Sequence, residues 1–249
     1  MAGVFLTAAV ICAAGASVRM GGIKKEYQKL KPEMTHNGGG GLTVLGAAVS
    51  AFASAASVQI IVIAVPENGE AAAREALPPE YLAAQEPKVL FVNGGKTRRA
   101  SVFNALSFLT PYNPRYVLIH DGARPWVRAS LIENIIEEVK KYGAVIPLLP
   151  LTDTPKECDA PWEIQPGGET PPVFIKNHLK RANTGIAQTP QAFKFPEILR
   201  AHKKAALVQE DFTDDAEIWG RFCGQVAVIP GSPENRKITF PEDFGKLCL

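Results

Sequence analysis

The sequence predicts a doubly wound, mainly parallel α/β sheet, and three observations carry that expectation. Short unbroken apolar runs, such as Val4 to Ile11 and Val58 to Val65, have the length of strands buried on both faces. Segments with helical spacing separate these runs, so strand and helix alternate as far as Leu149. The first run also ends abruptly in small residues, Ala13, Ala14, Gly15, Ala16 and Ser17. Such a turn lets a ligand approach backbone N–H groups that no side chain blocks.

The elements follow in order. Val4 to Ile11 is the first strand, and the residues from Lys31 to Gly41, including HNGGGG, read as a surface loop. Thr43 to Ser57 is rich in Ala, Val and Phe and reads as a buried helix. Val58 to Val65 is a second strand stopped by Pro66. Asn68 to Leu77 reads as a helix ended by Pro78-Pro79. Lys88 to Val92 is a third strand, and Thr97 to Leu109 has apolar residues at helical spacing. Arg115 to His120 is a fourth strand, Ala129 to Tyr142 an amphipathic helix, and Ala144 to Leu149 a fifth strand. The alternation then breaks. Leu151 to Gln188 has no helical period, and its middle, PWEIQPGGETPP, is rich in proline and glycine. It reads as two extended arms around an irregular tip, projecting from the main body. Helical pattern resumes at Pro196 to Leu207 and Thr213 to Phe222. Gln225 to Ile229 is a further strand, Lys237 to Phe240 a short extended piece, and Pro241 opens a last short helix.

Composition narrows the classes. A chain of 249 residues, 46% hydrophobic, suits one large domain over 1–249 with the 151–188 arm as an excursion. A net charge of +2 implies no nucleic-acid partner. The 4 cysteines form no CxxC pattern and read as free thiols of a reducing cytoplasm, and the 4 histidines are too scattered for a zinc site. No apolar run reaches the ~20 residues of a membrane span. No Lys or Arg precedes the first apolar run, so a signal peptide is not expected.

Chemistry concentrates behind the first strand. The small loop is followed by Arg19, Lys24 and Lys25, which makes a site for a polyphosphate. The Walker pattern is absent, and Ser17 and Met20 stand where a dinucleotide fingerprint needs glycine. Ligands of open α/β sheets bind beyond the carboxyl ends of the strands. That rule places Ala13 to Ser17, Gly94-Gly95 and Asp121 to Arg124 on one rim. Basic residues at a helix start sit badly with its dipole unless an anion is present, so Arg19 and Lys25 read as anion ligands rather than as solvated charges. Taken alone, Asp121 fits a turn or N-cap residue as well as a site. Arg181 fits a plain surface arginine, Lys237 an edge-strand lysine, and Thr213-Asp214-Asp215 a helix start.

Read together, AAGASVRM (13–20), KKEY (24–27), NGGKTRRASV (93–102), HDGARP (120–125), DTPK (153–156), TPQAF (189–193), TDDAE (213–217) and NRKITFPEDF (235–244) resemble one family. It is the 2-C-methyl-D-erythritol 4-phosphate cytidylyltransferases of the non-mevalonate isoprenoid pathway. The resemblance implies a Rossmann-like nucleotidyltransferase fold, cytoplasmic, joining CTP to methylerythritol phosphate with release of pyrophosphate. It implies that Ala13, Ala14, Gly15 and Ser17 lie along the CTP phosphates and that Gly95 and Ser101 hold the cytidine. Arg19 and Lys25 would be the catalytic cations. Arg181 and Lys237 would position the acceptor phosphate, with Thr154, Thr189, Thr213, Asp121 and Arg124 at the same end. Mg²⁺ would ride on the CTP phosphates near Asp121, without a dedicated protein cage. The arm would pack on a second subunit in a homodimer, bringing Arg181 to the neighbour's site.

Three residues depart from the family pattern: Ser17 where glycine is usual, Lys96 at an acidic position, and Gly122 where alanine is usual. The loop at Gly38 to Gly41 and the tip at 160–172 look longer than usual. A ribitol phosphate acceptor, a nucleotide-binding protein without catalysis and a dinucleotide oxidoreductase are the competing readings. Arg181 favours methylerythritol phosphate over ribitol phosphate. The joint presence of Arg19, Lys25, Asp121 and Lys237 favours catalysis.

Overall fold

The computed structural model describes residues 6–17, 20–31, 41–161 and 172–244. Strands β1 (Thr7–Cys12), β2 (Ile60–Val65), β3 (Lys88–Asn93) and β4 (Tyr116–Asp121) form the parallel half of the main sheet, in the order β3, β2, β1, β4. Beyond β4 come β9 (Gln191–Lys194), β5 (Ala144–Pro150) and β10 (Ala227–Pro230). β9 runs antiparallel to both neighbours, whereas β10 runs parallel to β5. The expectation of a doubly wound, mainly parallel sheet therefore holds, with β9 let into its middle as an antiparallel strand and a short antiparallel strand, residues 185–187, added beside β5.

Alternation along β1 divides the core in two. Ala9 and Ile11 face α1 (Val44–Ala53) and α5 (Ala129–Tyr142), packing with Leu45, Phe52, Ile132 and Ile136. Ala8 and Val10 face the other layer, which is built from α4 (Arg98–Phe108), α6 (Phe195–Ala205) and α7 (Asp215–Phe222) around Leu106, Ile198 and Trp219. Both strand faces are covered, which is why β1, β2 and β4 read as unbroken apolar runs. The helices start and stop on local chemistry. Thr43 caps α1 by accepting from the Gly46 amide at 2.9 Å, and Thr97 caps α4 by accepting from Ala100 at 3.1 Å. Gly143, at φ +83°, ends α5 and donates to the Val139 carbonyl at 2.9 Å.

Several elements differ from the sequence expectation. The helix expected over Asn68 to Leu77 is α2 (Glu70–Glu75), and Pro79 starts a second short helix, α3 (Pro79–Ala83), where proline is accommodated in the first turn. Lys237 to Phe240 forms no strand. Instead Ile238 is fully buried among Leu30, Val44 and Trp126, and its amide donates to the Ala123 carbonyl at 2.9 Å. In the arm, β6 (Lys156–Cys158) and β7 (Ile175–His178) are extended as expected, and they pair antiparallel with each other. The end of the same segment does not project: β8 (Gly185–Ala187) pairs with β5 of the main sheet. Most of the 160–172 tip, and residues 38–40 of the glycine loop, lie outside the described residues. Among the described residues no helix is long and apolar enough to cross a membrane.

Candidate active site

The strand register sets the site. Cys12, at the end of β1, pairs with Ala64 of β2 and Asp121 of β4, so the loops after β1, β3 and β4 meet on one rim. They enclose a cleft of about 540 Å³. Ala14, Gly15, Ala16 and Ser17 form one wall, while Gly95 to Arg98 and Ser101 form the other. Ala13 stands just behind. It is fully buried and its amide donates to the Ala64 carbonyl at 2.9 Å, so it fixes the loop and offers no free N–H to the cleft. A Cβ at Gly15 would meet nothing within 4 Å, so that position is open to a ligand.

Ser17 adopts φ +52°, the left-handed region that favours glycine. Its hydroxyl donates to Glu26 Oε2 at 3.3 Å, which ties the strained turn to the next segment. This is how a serine occupies the position where glycine is usual. Lys24 Nζ holds the Gly15 carbonyl at 2.5 Å, and burial draws its pKa below the usual lysine value. Lys25 is nearly buried and lines the cleft. Arg19 lies outside the described residues. On the opposite wall, the Gly95 amide donates to Ser101 Oγ at 3.0 Å, so Ser101 shapes the glycine turn from within.

A second, smaller cavity of about 280 Å³ adjoins the first. Arg98, Asp121 and Lys237 line both. Asp121 accepts from Arg98 Nε at 3.1 Å and Lys237 Nζ at 2.9 Å, with Arg124 Nε at 3.7 Å. Burial alone would raise the pKa of this carboxyl, but the Arg98, Lys237 and Arg124 charges outweigh it and hold Asp121 well below the usual carboxylate range. Arg124, Thr189 and Thr213 line the second cavity. Thr189 Oγ1 accepts from the Asp121 amide at 3.1 Å and meets His120 Nδ1 at 2.9 Å. The other ring nitrogen of His120 faces the Arg124 carbonyl at 3.1 Å, which fixes its proton on Nε2. Burial lowers the His120 pKa to about 4.

The structure thus brings Ala14, Gly15, Ser17, Lys25, Gly95, Ser101, Asp121 and Lys237 to one cleft, and Arg124, Thr189 and Thr213 to the cavity beside it. It does not bring Thr154 or Arg181 to either. Both are exposed on the arm, where Arg181 Nη1 donates to the Thr152 carbonyl at 2.7 Å. The helix start at Thr213 is capped by Asp214, which accepts from the Glu217 amide at 2.8 Å, while Glu217 reaches back to the Thr213 amide at 2.7 Å.

The sequence reading does not single out Arg98, yet this residue links the two cavities. A signal is present, because Arg98 is a basic residue in the first turn of α4, an arrangement unfavourable without a nearby anion. Here it has two, Asp121 and Asp215. Among the described residues no group of three or more His, Cys, Asp or Glu side chains could hold a metal ion. Both Asp121 oxygens already face cations, so this carboxylate does not fit a dication in its present contacts.

With this geometry in place, similarity to known proteins decides the family. The profile of IspD, 2-C-methyl-D-erythritol 4-phosphate cytidylyltransferase, matches residues 7–247. The chain belongs to the IspD family. Among curated proteins, it is 40% identical over 245 residues to a bifunctional IspD/IspF enzyme of Bradyrhizobium sp. strain BTAi1, covering 96% of this chain and 54% of that protein. A bifunctional IspD/IspF enzyme of Bartonella tribocorum is 36% identical over 244 residues, covering 95% of this chain and 54% of that protein. The chain spans about half the length of these curated relatives. Among solved structures, 4-diphosphocytidyl-2C-methyl-D-erythritol synthase from Anaerococcus prevotii superposes with a TM-score of 0.76 at 26% identity, covering 97% of this chain and 93% of that one. The 2-C-methyl-D-erythritol 4-phosphate cytidylyltransferase from Thermus thermophilus gives 0.67 at 26% identity, covering 96% of each chain. These IspD matches run along nearly the whole chain, so the cleft, the adjoining cavity and the arm all fall within the family's extent.

Proposed function

We propose that the protein transfers a cytidylyl group from CTP to 2-C-methyl-D-erythritol 4-phosphate, releasing pyrophosphate. The observation that carries this reading is the pair of cavities meeting at Arg98, Asp121 and Lys237. A bare loop with Lys25 suits a triphosphate in the larger cleft, and Arg124, Lys237, Thr189 and Thr213 suit a polyol phosphate in the smaller one. An oxygen of the acceptor phosphate attacks the α-phosphorus of CTP as pyrophosphate leaves. The nucleophile is already anionic and needs no strong base. The protein's part is to align the two phosphates and to balance charge on the phosphoryl oxygens. Lys25 and Lys237 do this from the described residues, with Arg19 alongside by family resemblance. Mg²⁺ bound with CTP would supply further positive charge against the triphosphate, and Asp121 does not hold it in its present contacts. We place the reaction in the cytoplasm, in keeping with free thiols at Cys12, Cys158 and Cys223.

The exposed arm, with Phe174, Ile175 and Arg181 at its surface, supports a homodimer in which the arm packs on the partner. A pyrophosphate-release assay tests the activity. CTP with methylerythritol phosphate should turn over, with UTP, ATP and ribitol phosphate far slower. Lys25→Ala should lower kcat roughly 10²–10³-fold at unchanged melting temperature. Equal turnover of ATP, or an unimpaired Lys25→Ala, would refute this assignment of substrate or of residue.

A further inference from the structure

Arg98 is held at both ends of its guanidinium. Nε donates to Asp121 Oδ1 at 3.1 Å, and Nη1 donates to Asp215 Oδ2 at 2.8 Å. Arg98 lines both cavities, whereas Asp215 is almost completely buried and lines neither. The other Asp215 oxygen, Oδ1, lies 3.1 Å from Nε2 of His202 on α6. A carboxylate only accepts, so the ring presents Nε2–H to it. His202 is itself buried. Burying a carboxylate is costly unless it is paired and hydrogen-bonded. The start of α7 does not call for this one as its cap, because Asp214 already accepts from the Glu217 amide. What Asp215 does have is a fixed grip on Arg98, with His202 holding it from behind.

We propose that Asp215, seated on His202, is a positioning residue that fixes the Arg98 guanidinium, and through it Asp121, at the wall where the two reacting phosphates meet. The proposal rests on the cytidylyl-transfer reading and deepens it. Burial on its own would raise the Asp215 pKa, but Arg98 and His202 outweigh it, so the carboxylate stays charged and keeps its hold. Among the described residues, the hydrogen bonds of the loop from Ala14 to Ser17 and of the Gly95 turn do not include Asp215. Arg98 and Asp121 border both cavities, but Arg124, 3.7 Å from Asp121, lines only the smaller, acceptor cavity, whereas the larger keeps its own loop and Lys25. Loss of Asp215 should therefore act mainly on the acceptor.

The test is a double-mutant cycle read by steady-state kinetics in both substrates. Asp215→Asn keeps the shape, removes the charge and sets an amide against the guanidinium. Arg98→Lys keeps the cation but lacks the fork that spans two carboxylates. Each single variant should lower kcat/KM for methylerythritol phosphate about 10–100-fold, with the CTP KM within about threefold of wild type. The double variant should be no worse than the poorer single, because the second change removes an interaction already broken. A structural role alone would lower the active fraction and leave both KM values unchanged, even though two residues in contact still couple, and that outcome also overturns the positioning role. Multiplying effects, or a folded Asp215→Asn with normal acceptor kcat/KM, overturn the proposal. If Asp215→Asn does not fold, His202→Asn takes its place in the cycle under the same criteria. Wild-type protein that releases no pyrophosphate from CTP and methylerythritol phosphate overturns the cytidylyl reading and this proposal with it. Active wild type with multiplying effects overturns only the positioning role.

Discussion

His120 precedes Asp121 on β4 and never reaches the cavities, yet it fixes two things that do. Through Nδ1 it meets Thr189, and through Nε2–H it holds the Arg124 carbonyl. Burial lowers its pKa from about 6.5 to about 4. A lowered pKa means the unfolded chain binds the proton first as pH falls. Stability from this residue is therefore complete above pH ~6.5 and lost as pH falls towards ~4, by about 3 kcal/mol at most from a shift of ~2.5 units. Urea unfolding at steps from pH 7 to pH 4 should show this slope, and a His120→Asn variant should be less stable at pH 7 but flatter in that window. Parallel slopes for the two proteins would assign the loss to another group. At this scale the sequence is legible where a motif carries the residue, as for Lys25, Asp121 and Lys237. It is not legible for His202, nor for the hold of Asp215 on Arg98, since Asp215 reads only as part of a helix start. Their positions are set by the packing of α7 on α6, which no local spacing encodes.

Among the elements, strands with both faces covered are the easiest to read, since a short run that is evenly apolar suits neither an amphipathic helix nor a surface loop. β9 escapes a sequence reading because its four residues, QAFK, follow Thr189-Pro190 and carry too short a pattern. Its place between β4 and β5 depends on those neighbours. Gln191 is kept there by Asp214, to which its amide donates at 2.7 Å, and not by hydrophobicity. The loop after β3 is legible as a turn, but the reason for its glycines lies in the fold. A Cβ at Gly94 would lie 2.3 Å from Ala14 Cβ and 2.8 Å from Ser101 Oγ. The two walls of the larger cleft therefore touch through this residue. Gly94→Ala should force them apart, at about 1–3 kcal/mol in stability, the usual range for overpacking. It should also raise the KM for CTP more than that for the acceptor phosphate. Chemical denaturation and two-substrate kinetics would check both, and an unchanged CTP KM would show that the walls accommodate the methyl group without moving the site.

For the whole molecule, the arm is the part whose shape the chain alone does not explain. Among the described residues β6 and β7 pair only with each other, and Phe174 and Ile175 remain exposed. A two-stranded ribbon with apolar residues in water is marginal by itself. The proposed homodimer would cover it, and by family resemblance Arg181 would enter the partner's acceptor site. Within one chain Arg181 lines neither cavity, which suits a residue that serves another site. The consequence is testable with mixed dimers. Arg19→Ala damages a site from its own chain, and Arg181→Ala damages the partner's. In a mixed dimer of the two variants, one site carries both lesions and the other neither. Each variant alone should be nearly inactive, while the mixed dimer, purified through two different tags, should regain about half of wild-type activity because one of two symmetric sites is whole. A verified mixed dimer as inactive as its parents would place Arg181 outside the neighbour's chemistry.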